Sequence, residues 1–81
     1  MAPLSLGTAP PTISASMDTL SAMAHMAAAT GTVVHVVVPR APWVVHHARS
    51  MAQQAQVRVS ADLLASTIRV RFDGTPLSSL G

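Results

Sequence analysis

The 81 residues contain no cysteine, lysine, glutamate, tyrosine or asparagine, and only one phenylalanine and one tryptophan. Without cysteine there is no disulfide, no thiolate nucleophile and no Cys-based zinc site, and the redox compartment stays open. Charged residues make up 10% of the chain, against roughly 25% in an ordinary soluble domain. Such a surface lacks the mixed charge that keeps small domains apart, so a free monomer is poorly defended against association. Long apolar runs are missing as well. The best one, residues 33–38, is interrupted by His35 and closed by Pro39, and no membrane-spanning helix is expected. The first arginine is Arg40, which leaves no basic start for a secretory signal; an intracellular chain is expected, its compartment open. The opening residues, poor in acid and rich in Ser, Thr and Ala, are similar in composition to a plastid transit segment.

What is present is 49% hydrophobic, with five arginines and three aspartates giving a net charge of +2. The high isoelectric point, 11.4, arises because arginine is the only group titrating well above neutrality. Two net charges make a weak field for steering toward a polyanion. At this length the chain holds one small folding unit, near the size where a single core is marginally sufficient. No internal repeat is visible at any period the length allows.

Residues 1–15 carry Pro3, Pro10, Pro11 and Gly7, which predicts an extended arm anchored by Leu4, Leu6 and Ile13. The folded unit is expected over residues 16–81. Ser16 is placed to cap a helix with Asp18 in its first turn; Met17, Leu20, Ala24 and Ala27 recur at helical spacing, and Gly31 is placed to end it. Residues 32–38 are almost all β-branched. Their valines fall on both faces, which predicts a strand covered on both sides, central in a sheet or at an interface. A second helix is predicted over residues 43–56, with Val44, Ala48, Met51 and Ala55 forming its apolar stripe. Val57, Val59 and Ala61 alternate with polar residues, as do Ile68, Val70 and Phe72, so two half-buried strands are expected. Between them, Leu63 and Leu64 suggest one helical turn capped by Ser60. The fold class expected is a small α+β domain, in the order helix, strand, helix, strand, strand, with an extended Pro-rich N-terminal arm.

If the last two strands form a hairpin, Arg58, Arg69 and Arg71 share the face away from the core, alternating with Asp62 and Asp73. Like charges close together favour a phosphate or carboxylate partner, while the aspartates favour a merely solvated face. No aromatic residue is expected on that face for base stacking, so nucleic-acid contact would be confined to the phosphate backbone. The four histidines are His25, His35, His46 and His47. Adjacent His46 and His47 point about 100° apart on a helix and do not chelate together, and no metal or cofactor is expected. The run His47-Ala48-Arg49, opening a helix after a β-branched strand, resembles in three positions the histidine phosphocarrier proteins of sugar transport. There such a histidine sits at a helix start beside an arginine. The residue after Arg49 is Ser50 where that family has Pro, and the apolar stripe puts His47 inside the helix, so no phosphoryl site is carried over.

No nucleophile-elbow sequence and no Gly-rich phosphate loop occurs, and no catalytic residue is assigned. The reading is a non-enzymatic structural or accessory subunit of a larger assembly or homo-oligomer, with protein partners bound through apolar surface and through Leu4, Leu6, Ile13 and Trp43. The alternative is a small arginine-based nucleic-acid-binding or regulatory module using Arg40, Arg49, Arg58, Arg69 and Arg71.

Overall fold

A computed structural model of the chain describes the backbone of residues 11–76 and the side chains of residues 16–76. The elements run α1 (Pro11–Thr30), β1 (Val33–Pro39), α2 (Val44–Ala55), β2 (Arg58–Leu63) and β3 (Thr67–Asp73). This is the expected order. Both helices lie on one face of a three-stranded antiparallel sheet of order β1-β3-β2, so β1 and β2 are parallel to each other with β3 between them.

Helix α1 begins at Pro11, earlier than the Ser16 cap expected, and residues 11–15 of the expected arm are helical. The reason is local. Proline is tolerated in a first turn, where its missing N–H has no intrahelical acceptor and its fixed φ already suits the helix. Ser16 is thereby an interior residue, buried beside the core. Ile13 falls within the helix, its side chain outside the described ones, and Leu4 and Leu6 lie outside the described residues. At the other end Gly31 takes φ +66° and donates its N–H to the Ala27 carbonyl at 2.9 Å, a left-handed cap that glycine reaches without strain. Gly74 is needed for a different reason. A Cβ there would stand 1.9 Å from the Ala27 carbonyl oxygen, so only glycine lets the end of β3 pass beneath α1.

Helix α2 buries Val44, Ala48 and Ala52, one residue per turn, while Met51 and Ala55 flank the core half-buried. Its small side chains let it approach the sheet closely. The core closes with Leu20, Ala24 and Ala27 from α1, Val38 from β1, and Ile68, Val70 and Phe72 from β3.

Two expectations about the strands are corrected. The helical turn near Ser60 is absent: β2 continues to Leu63, and Leu64 donates its N–H to Thr67 at 2.9 Å to close a tight hairpin. The valine strand is not central. β3 occupies the middle, and β1 is an edge with Val33, His35 and Val37 exposed on the face away from the helices. β-branched residues fit any pleated surface, so their composition does not distinguish a strand covered on two faces from an edge strand.

Candidate functional site

Among the described residues nothing covers the sheet face away from the helices, and register places its side chains in rows. Val33, Asp73 and Arg58 form one row; His35, Arg71 and Ser60 the next; Val37, Arg69 and Asp62 the third. Three of the five arginines therefore share this face. The other two do not: Arg40, in the link from β1 to α2, donates to the Leu64 carbonyl at 3.2 Å, and Arg49 stands on α2 in the helical layer.

Charge on the open face is largely answered from within. Arg58 donates to Asp73 Oδ2 at 3.2 Å and to the Thr75 carbonyl at 3.2 Å, and Arg71 lies 3.8 Å from the same Asp73 oxygen. The Thr75 hydroxyl and the Thr75 N–H, the latter 2.9 Å from Oδ1, hold the Asp73 carboxyl below its ordinary value. The guanidiniums of Arg58 and Arg71 add to this, and desolvation opposes it. Asp62 stands in register beside Arg69. No phenylalanine or tryptophan ring is on this face: Phe72 is turned into the core, and Trp43 lies half-buried at the start of α2, edge-on to the His47 ring at 5.8 Å.

The histidines are dispersed. His25 Nδ1 meets the Ser21 carbonyl at 2.8 Å along α1, His46 is exposed on α2, and His35 is on the open sheet face. His47 Nε2 stands 3.4 Å from the Met17 carbonyl on α1, tying the two helices together rather than facing outward at a helix start. Among the described residues no group of three or more His, Asp or other ligand-type side chains gathers as a metal site. None of the helices among them is long and apolar enough to cross a membrane. A shallow groove of about 210 Å³ runs between α2 and β2, lined by Val45, Ala48, Arg49, Val59, Ala61 and Leu63. It is smaller than the roughly 300–1,000 Å³ of ordinary small-molecule sites.

The most distinctive feature is one no residue motif announced, the outer edge of β1. Arg40 N–H bonds to Ser66 and Gly74 N–H to Thr32, both in-register pairs of the β1–β3 ladder. Hydrogen-bonded pairs alternate along an antiparallel ladder, so Val34, Val36 and Val38 turn their backbone groups to β3. Val33, His35 and Val37 turn theirs outward, and among the described residues no hydrogen bond reaches them. Pro39, whose N–H would also point outward, has none to leave open. By the same argument from Leu64 and Thr67, the free edge of β2 presents the backbone of Val59, Ala61 and Leu63. Compared with known protein families, curated proteins and solved structures, the chain matches none.

Proposed function

We propose that the chain is a non-enzymatic subunit that assembles through strand addition at the edge of β1. The observation carrying this reading is the combination at that edge of outward backbone donors and acceptors with exposed apolar side chains, Val33 at 37% and Val37 at 55%. Proteins that stay monomeric guard such an edge with charge, a bulge or a mid-strand proline. β1 has no charged residue, and its only proline is the last residue. The low overall charge supports the same reading, because few charged side chains are available to keep copies apart. The test is light scattering on the full chain and on Val37→Lys, a change at an exposed position that puts a charge on the edge. Particles heavier than one chain, indifferent to salt and lightened by Val37→Lys with unchanged far-UV circular dichroism, are expected. Single-chain mass for both proteins at every concentration would overturn the reading.

A second reading, phosphate-backbone contact through the open face, is favoured by one observation: Arg69 has no ion pair within 4 Å among the described residues and stands in line with Arg71. Binding of that kind falls steeply with salt. Loss of a nucleic-acid complex in Arg69→Ala, with assembly intact, would support it.

A further inference from the structure

We infer that the occupant of the β1 edge is β1 of a second copy, paired antiparallel about a two-fold axis at Val36. This rests on the assembly reading and specifies its partner and register. The argument begins with parity. Shifting an antiparallel pairing by one residue sends core-facing side chains to the wrong face, so the Val34, Val36, Val38 set of one copy must lie on the same face as that set in the other. Of the self-pairings that satisfy this, the one centred on Val36 uses the whole seven-residue strand. Val33 then faces Pro39 of the second copy and His35 faces its Val37. The outward N–H groups of Val33, His35 and Val37 all find carbonyl partners, Val33 at Pro39 of the second copy, and only the Val33 carbonyl at each end, opposite a proline nitrogen, is left without a donor. The pairing centred on His35 brings two imidazoles directly opposite and leaves the end of the strand unpaired.

Charge and helix placement agree with this partner. β1 carries no charge of either sign, so an identical strand brings no like charges face to face; the nearest arginines and aspartates are one strand further in, on β3. A strand edge alone is small beside the roughly 600–1,000 Å² per partner of stable interfaces. Helix α1 supplies more. It packs over β1 on one side and α2 on the other, and its Met17 carbonyl faces His47 of α2. Met26, about 180° around the helix from Met17, lies on the opposite flank above the free edge and is 48% exposed. Joining the sheets at a strand spacing of about 4.8 Å sets the two α1 helices beside each other along the seam. The flanks of the two α1 helices then run antiparallel along the seam, with the two Met26 residues toward its opposite ends, since Ala27 lies over Gly74 beside Thr32.

Because the chain has no cysteine, single-thiol variants read the register directly. In the pairing centred on Val36 the two Val36 residues form a non-hydrogen-bonded pair with Cα atoms about 4.5 Å apart, inside the disulfide range. The two His35 residues are offset by two positions, about 8 Å apart, outside it. Full-length Val36→Cys, His35→Cys and Val34→Cys are each oxidised at micromolar concentration and run without reductant, with light scattering on the unmodified chain in parallel. The expected result is a mass about twice the 8.4 kDa of one chain, with an interchain disulfide in Val36→Cys at least tenfold more complete than in the other two. A stable single-chain mass overturns the inference, as does a disulfide favouring His35→Cys or an assembly in which no variant crosslinks. In that last case, if the mass still falls in Val37→Lys, assembly at β1 stands and self-pairing fails.

Discussion

The two edges of the sheet flank the same central strand and are built differently. β2 alternates Arg58, Ser60 and Asp62 on its open side and is anchored at one end by the bonds of Arg58 to Asp73 and Thr75. β1 presents Val33, His35 and Val37 in the corresponding rows. Among the described residues both edges carry unpartnered backbone groups, yet only one is dressed with charge, and charged side chains are the usual means by which an edge discourages pairing. On the assembly reading proposed above, this contrast would direct association to β1, since Arg58 and Asp62 stand on the other edge.

Several changes would break or sharpen this contrast. The largest effect is expected from Phe72→Ala, which empties the fully buried position between Val34 of β1 and Val59 of β2 and removes support from both edges. A loss of about 3–5 kcal/mol in urea unfolding is expected for such a truncation. Next is Gly74→Ala, whose methyl group meets the Ala27 carbonyl and lifts α1 from the β1 end of the sheet. About 1–3 kcal/mol of overpacking cost is expected, with hydrogen exchange rising first at β1 while β2 stays protected. Asp62→Val removes a charge from the guarded edge; stability should change by no more than about 0.5 kcal/mol, while light scattering should show new association that Val37→Lys does not suppress.

The smallest effect concerns acid. Asp73, which ties Arg58 and Arg71 to the end of β3, has its carboxyl held below the ordinary 3.8. A carboxylate depressed in the folded state contributes stability that is present above its unfolded value and lost as pH falls through the folded one. The wild-type urea midpoint should therefore decline below about pH 4 more steeply than that of Asp73→Asn. Equal slopes would show that the Thr75 and arginine bonds do not favour the charged form.

Much of this architecture was legible along the chain. The alternation of Ile68, Val70 and Phe72 with arginine marks a half-buried strand, the α2 stripe marks an amphipathic helix, and Gly31 marks a helix end, because each is a local pattern. The start of α1 was missed because Pro11 breaks a helix in its interior and suits one in its first turn, and which applies depends on where the helix begins. The candidate site was less legible. The alternation of Arg58, Arg69 and Arg71 indicated a shared open face, but the capture of Arg58 and Arg71 by Asp73 needed the register. The separation of Arg40 and Arg49 from that face needed the layering of helices on the sheet.

By itself, the sequence determined the order of elements, which face of each strand is apolar, and the scarcity of charge that leaves an edge unguarded. These follow from side-chain periodicity and composition, which act over a few residues. Only the tertiary structure decided that β3 is inserted between β1 and β2, and hence that the valine strand is an edge. That choice depends on hydrogen bonding between residues far apart in the chain. The same pairing decides which backbone groups are turned outward, because the bonds β1 makes with β3 use one side of the strand and point the alternate residues to the other.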